Sequence, residues 1–205
     1  MSVGELFRAH QGRLISKWES YLVPYERHLS RFRNTPCTLV EIGVFHGGSL
    51  QLWGSYLGSQ ARIVGIDISP AMLDVAKRKL QRFDRRFRTK VADVRELAEL
   101  EPRAYDAALC ARVLMHFELD DQIRFLKSVA ALSKGTVVFS QSLSTPYQRM
   151  RRSLKRLIGN PPPASFPITE SELAQLLRGA NLKEVRRVRV ASLVSEGVYI
   201  VAERA

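Results

Sequence analysis

Apolar and aromatic side chains at Leu14, Trp18, Tyr21, Leu22, Tyr25, Leu29 and Phe32 recur near a 3.6-residue period, which predicts helix over residues 5–33. Pro24 is expected to kink or divide it. After "RNTPC" the pattern changes. Apolar runs of strand length at 38–44, 61–68, 86–94, 105–113 and 135–142 alternate with helical stretches at 47–58, 69–83 and 119–132. Gly58 closes the first of these helices, and Ser69 and Pro70 open the second as N-cap and first helical residue. Strands buried on both faces and separated by helices predict a parallel sheet with right-handed crossovers. Farther on, Thr169 and Glu172 form a capping box for a helix over 170–180. Two strands follow, 182–193 and 197–204. The gap between them is too short for a helical crossover, so they pair antiparallel. The expected organisation is one α/β domain over 1–205, with an N-terminal helical cap at 1–36 and an insertion at 143–168.

Length and composition restrict this picture only mildly. The chain has 205 residues, 45% hydrophobic and 25% charged, as a globular domain does. No apolar run approaches the ~20 residues that cross a bilayer. Residues 1–22 carry charge throughout and lack the apolar centre of a secretory signal. Cys37 and Cys110 are expected to be buried free thiols, which suits a reducing, cytoplasmic location. The net charge of +12 changes more. Basic residues cluster at 77–90, 149–156 and 183–189, either as solvated faces or as contacts for a phosphorylated substrate, a lipid surface or nucleic acid. Charge alone does not choose.

The stretch "LVEIGVFHGGSLQLW" (39–53) carries the candidate chemistry. A phosphate-binding P-loop needs a Lys after its last Gly, and none is present. A dinucleotide fingerprint needs a Gly where Phe45 stands, which argues against NAD. What remains is Glu41-x-Gly43-x-x-x-Gly47, with a second acid, Asp67, at the end of the second strand. A carboxylate there is placed to accept from a ribose diol. Gly43 and Gly47 are expected to let a turn press close to a ligand, and Glu41 suits a ligand with a positive end. S-adenosylmethionine has a ribose, a sulfonium and an ammonium. A third acid, Asp93, could reach an adenine amino group while Val94 packs on the ring.

With "VEIGVFHGGS", "VGIDISPAMLDVAK", "VADV" and "YDAALCARVLMHF" in order, the chain resembles the class I S-adenosylmethionine-dependent methyltransferases. The resemblance implies a Rossmann-like, doubly wound, mostly parallel seven-stranded sheet of order 3-2-1-4-5-7-6, with strand seven antiparallel. It implies that Glu41, Gly43 and Gly47 contact the methionine portion, Asp67 the ribose, and Asp93 and Val94 the adenine. Phe45, Ser49, Ile68 and Ala111, within or beside these motifs, are carried over as further cofactor contacts. The N-terminal part, "SKWESYLVPYERHLSRFRNTPCTLVEIGVFHGGSLQLW", is similar to macrolide-sugar O-methyltransferases and related natural-product and glycan enzymes. Those enzymes can bind magnesium through an Asp-Asp-Gly-Ser-His segment after strand four. This chain has "CARVLMHF" there, so no metal is expected.

His116, just beyond the fourth strand, is the candidate general base; a His merely bonded to the loop backbone is the alternative. Tyr21 and Tyr25 are candidate acceptor contacts on a covering helix, with core packing as the alternative. Arg112, Arg151 and Arg152 could grip an acidic or phosphorylated acceptor. In the insertion, Met150, Leu154, Leu157 and Ile158 stand at helical spacing, with arginines and lysines between them. Such a helix could lie over a pocket or on an anionic membrane surface. The expected function is metal-independent methylation of a hydroxyl on a glycan, glycolipid or secondary-metabolite acceptor. An RNA methyltransferase and a cofactor-binding module without turnover are the alternatives.

Overall fold

The computed structural model describes residues 1–9, 22–80, 86–146, 150, 153–154, 157, 165–191 and 196–205. The order is α1 (Val3–Ala9), α2 (Leu22–Leu29), β1 (Cys37–Ile42), α3 (Gly48–Leu57), β2 (Ala61–Asp67), α4 (Pro70–Leu80) and β3 (Phe87–Val91). Then come α5 (Val94–Leu100), β4 (Tyr105–Cys110), α6 (Leu119–Leu132), β5 (Ser133–Ser142), α7 (Glu170–Gly179), β6 (Leu182–Ala191) and β7 (Glu196–Arg204). The strands form one sheet of order β3-β2-β1-β4-β5-β7-β6. Pairing is parallel from β3 across to β5, and β7 runs antiparallel between β5 and β6.

The apolar runs are continuous because both faces of the central strands are covered. Val40 and Ile42 of β1, Val64 of β2 and Ala108 of β4 pack towards Phe125, Leu126 and Leu173 of α6 and α7. Leu39, Ile63 and Leu109, on the same strands, face Trp53, Leu73 and Leu29 of α3, α4 and α2. Burying a Leu or Ile side chain stabilises by about 1.5–3 kcal/mol, so the two-sided core stiffens the strands that end at the cavity described below.

Three local features differ from the expectations or add to them. Pro24 is buried within α2 (Leu22–Leu29), and the stretch before it in the predicted helix, 10–21, lies outside the described residues. The predicted helix over 5–33 is seen as α1 and α2 followed by a 3-10 turn at Ser30–Phe32; Leu14, Trp18 and Tyr21 lie outside the described residues. Helix α5 was not anticipated. Its N-cap is Asp93, whose side chain accepts from the Arg95 N–H, and Val94, Leu97 and Ala98 are its buried face. The Thr169–Glu172 capping box is present in both directions. Both cysteines are buried and free.

The insertion leaves and returns at one place. Leu143 forms a parallel bridge with Ile168, and the Ser144 N–H donates to the Ile168 carbonyl at 2.8 Å. Within it Pro146, Met150, Ser153, Leu154 and Leu157 have helical backbone. No helix among the described residues is long and apolar enough to cross a membrane.

Candidate functional site

In an open parallel sheet, ligands bind outside the carboxyl ends of the strands, where the strand order reverses. Here that point lies between β1 and β4. A cavity of about 850 Å³ opens there, lined from the ends of β1 to β4 and closed on one side by Met115, Phe117 and Ser165.

Glu41 is 2% exposed, on a strand buried from both sides. Burying a carboxylate is costly unless it is hydrogen-bonded, and its Oε2 accepts from Ser49 Oγ at 2.6 Å. Both residues line the cavity. Burial, with the Glu41 charge added, pushes the neighbouring Cys110 thiol up to about 12. It is therefore an inert neutral group at neutral pH.

Asp67 ends β2 and ties it to the loop after β1. Its Oδ2 accepts from the Val44 N–H at 3.0 Å and its Oδ1 from the Ser69 N–H at 2.9 Å. The Gly43 N–H donates to the Ile66 carbonyl at 2.9 Å beside it. A carboxylate offers about four lone-pair sites, so one on each oxygen is left for a ligand hydroxyl. The turn itself uses left-handed backbone at Gly43 (φ 84°) and Gly47 (φ 77°).

These glycines do something other than expected. A Cβ on Gly43 would come within 2.6 Å of Val113 Cγ2, and one on Gly47 within 2.9 Å of Ala76 Cβ. The space that their missing side chains leave is filled by protein. Gly43 still lines the cavity, but Gly47 lies behind the loop against α4 and does not. Phe45, also at positive φ (50°), is 51% exposed and stacks on His46 with ring centroids 3.9 Å apart. A non-glycine residue in this region carries strain of about 1 kcal/mol or more, which the surrounding turn must hold.

Asp93 and Val94 line the cavity, with Ile68 exposed at its rim. Asp93 is already engaged: the Arg95 Nε lies 3.0 and 3.1 Å from its two oxygens, and the Arg95 N–H is 2.9 Å from Oδ1. The Arg95 guanidinium and N–H hold this carboxyl below its usual range against a smaller opposing effect of burial. An adenine amino group would therefore share Asp93 with Arg95, a residue the sequence reading did not single out.

On the other side Ala111, Arg112 and His116 line the cavity. Arg112 has φ 62°, and its N–H donates to Ser140 Oγ of β5 at 2.7 Å. His116 ends a 3-10 turn, Leu114–His116, and is exposed at the mouth. The returning end of the insertion is bonded to this turn. The Phe166 N–H donates to the Met115 carbonyl at 2.8 Å, and Gln122 Nε2 bridges the Phe117 and Phe166 carbonyls at 2.8 and 3.0 Å. Met115, Phe117 and Ser165 line the cavity and were missed in the sequence. A 3-10 turn and a Pro-rich return have no periodicity to read.

Tyr25 is not at the cavity. It is 1% exposed and packs edge-to-face on Trp53 at 4.7 Å and Tyr199 at 5.8 Å, in the core behind the sheet. The candidate role as an acceptor contact gives way to core packing, because its ring bridges α2, α3 and β7. Tyr21, Arg151 and Arg152 lie outside the described residues. Among the described residues no group of three His, Cys, Asp or Glu side chains is gathered for a metal.

Comparisons with known proteins agree with this geometry. Residues 39–135 match the family profile of a methyltransferase domain. A ubiquinone biosynthesis O-methyltransferase of Nitrosomonas europaea is 32% identical over 156 residues, which are 72% of this chain. The match spans 64% of that relative's length. Among solved structures, magnesium protoporphyrin IX methyltransferase from Synechocystis with bound S-adenosylhomocysteine superposes with a TM-score of 0.69. It covers 98% of this chain and 94% of its own, at 16% identity. The 1,6-didemethyltoxoflavin-N1-methyltransferase of Burkholderia thailandensis, also with S-adenosylhomocysteine, gives 0.66 at 21% identity, covering 89% of this chain and 76% of its own. At such identities the structures speak for the fold alone, and that fold, with its β7 hairpin, is the one found here. Sequence match and fold together place a methyltransferase domain at residues 39–135, on the Rossmann-like seven-stranded sheet shared with the class I S-adenosylmethionine-dependent methyltransferases.

Proposed function

We propose that the protein transfers a methyl group from S-adenosylmethionine to a hydroxyl oxygen of a small acceptor, of the glycan, glycolipid or secondary-metabolite kind. The observation that carries the reading is the buried Glu41 carboxylate beside Asp67, two acids on adjacent strand ends of one cavity. The residues present fit the cofactor. Glu41 would meet its positive methionine end, Asp67 its ribose hydroxyls, and Asp93 its adenine amino group, with Val94 and Ile68 against the ring. The bound cofactor would supply an electrophilic methyl group on a sulfonium sulfur. The chain's own task is then alignment and exclusion of water, which can supply much of the rate of a displacement. Arg112 would pair with an anionic group of the acceptor, and His116 would take the hydroxyl proton at a ring nitrogen. The 32% identical relative, named as an O-methyltransferase, supports oxygen as the acceptor atom. A cytoplasmic setting is consistent with the two buried free thiols.

The test is calorimetry followed by labelling. The protein should bind S-adenosylmethionine or S-adenosylhomocysteine at micromolar levels, roughly −8 kcal/mol, and should not bind NAD. Label from the methyl group should then appear on a small molecule of a host extract. Label on polynucleotide, with a steep salt slope of binding, would transfer the reading to RNA, which the net charge of +12 would favour. Tight binding of the cofactor with no labelled product in any fraction would leave a binding module.

A further inference from the structure

The cavity does not account for three exposed apolar side chains of the insertion. Met150, Leu154 and Leu157 are 64%, 58% and 83% exposed, all with helical backbone. Their spacing of four and three residues sets them on one helical face. A Leu left in water forgoes about 1.5–3 kcal/mol of burial, so a row of three marks a surface built to be covered. Between Thr145 and Ser165 the sequence has five basic residues (Arg149, Arg151, Arg152, Lys155 and Arg156) and no acid. An apolar row flanked by cations alone is the chemistry of a helix lying in the interface of an anionic bilayer. Apolar side chains enter the acyl boundary, and each Lys or Arg near the surface adds about 1 kcal/mol. Nucleic acid fits less well, because phosphates reward the cations but nothing in a polynucleotide backbone rewards Met150, Leu154 and Leu157.

The place of this row matters as much as its composition. The segment departs after Leu143 and returns through Ser165, which lines the cavity, and Phe166, which is bonded to Met115 at the cavity wall and is 40% exposed. We infer that the row Met150, Leu154 and Leu157 docks the protein on an anionic lipid bilayer with the cavity mouth beside the membrane, so that an amphipathic acceptor enters from the lipid phase. The acceptor part of this inference rests on the methyl-transfer reading above; the docking does not.

Flotation of the full chain with vesicles tests it. The protein should float with phosphatidylcholine vesicles containing one-third phosphatidylglycerol and stay behind with phosphatidylcholine alone. The triple variant Met150→Glu, Leu154→Glu, Leu157→Glu should lose vesicle affinity by about tenfold or more. Its cofactor affinity should not move, since none of the three lines the cavity. Vesicle binding by the triple variant as strong as the parent's would mean general adsorption of a basic protein and would overturn the inference. So would a parent that ignores both vesicles, or one that leaves them for polynucleotide while the triple variant binds that polynucleotide equally well. Loss of cofactor binding in a parent that still floats would instead sink the methyl-transfer reading and leave the docking standing.

Discussion

The loops after β1 and β2 and the loops after β4 and β5 line one cavity, yet they are built on opposite plans. On the first side the functional groups are acids, drawn in and bonded to the fold: Glu41 to Ser49, and Asp67 to the N–H groups of Val44 and Ser69. On the second side they are exposed basic side chains, Arg112 and His116, held through their backbones to Ser140 Oγ and the Val113 carbonyl. Acids anchored by hydrogen bonds hold their positions before a ligand arrives. Exposed side chains can follow acceptors of different shape. On the function proposed above, a seat for one constant, positively charged cofactor calls for the first plan, and a seat for an anionic acceptor tolerates the second.

The two sides meet where Gly43 packs on Val113, and the largest predicted effect is there. Gly43→Ala combines a left-handed φ of 84° with a Cβ at 2.6 Å from Val113 Cγ2. Backbone strain of about 1–2 kcal/mol and overpacking of about 1–3 kcal/mol should add to a clear loss of stability in denaturant titration. Val113→Ala in the same chain should return the packing part only. A double variant no more stable than Gly43→Ala would mean that the halves are not coupled through this contact.

Asp67→Ala probes the anchored side by itself. It leaves the Val44 and Ser69 N–H groups without their acceptor and removes the proposed ribose partner. A loss of about 1.5–3 kcal/mol in cofactor affinity is expected, read by calorimetry, with little change in affinity for the acceptor. Unchanged cofactor affinity would put the site elsewhere.

Arg112→Gln probes the exposed side. The acceptor's KM should rise by a few-fold, in line with about 0.5–1 kcal/mol for an exposed ion pair, while cofactor affinity stays as it was. Equal changes in both constants would erase the division of the cavity into two plans.

A further effect lies outside the cavity and depends on pH. The Thr169 N–H and hydroxyl hold the Glu172 carboxyl below its ordinary range. A lowered carboxyl contributes stability that is fully present above its unfolded value and is lost as pH falls through the folded value. Thr169→Ala should cost about 1 kcal/mol near neutrality, and the gap from the parent should narrow in acid. A gap independent of pH would show that Glu172 is not part of the cap.

Local patterns in the chain settled most of the architecture. Runs such as "ARIVGIDI" must be covered on both faces, helices carry their own caps at Ser69 and Thr169, and a short gap between β6 and β7 forces an antiparallel pair. The acids at the ends of consecutive strands were legible too, because a strand's end is marked by its neighbours in sequence. Elements too short to repeat a period several times were not: α5 has seven residues, about two turns, and the 3-10 turn at His116 has three. Nor does a sequence say what fills the room a glycine leaves. Only folding brought Ala76 against Gly47 and Val113 against Gly43, and put Tyr25 behind the sheet with Trp53 and Tyr199. Periodicity and capping act within about one turn of chain and are written locally. The partners of a buried ring or a bare Cα come from strands and helices distant in sequence, so their identity is decided only when the sheet closes.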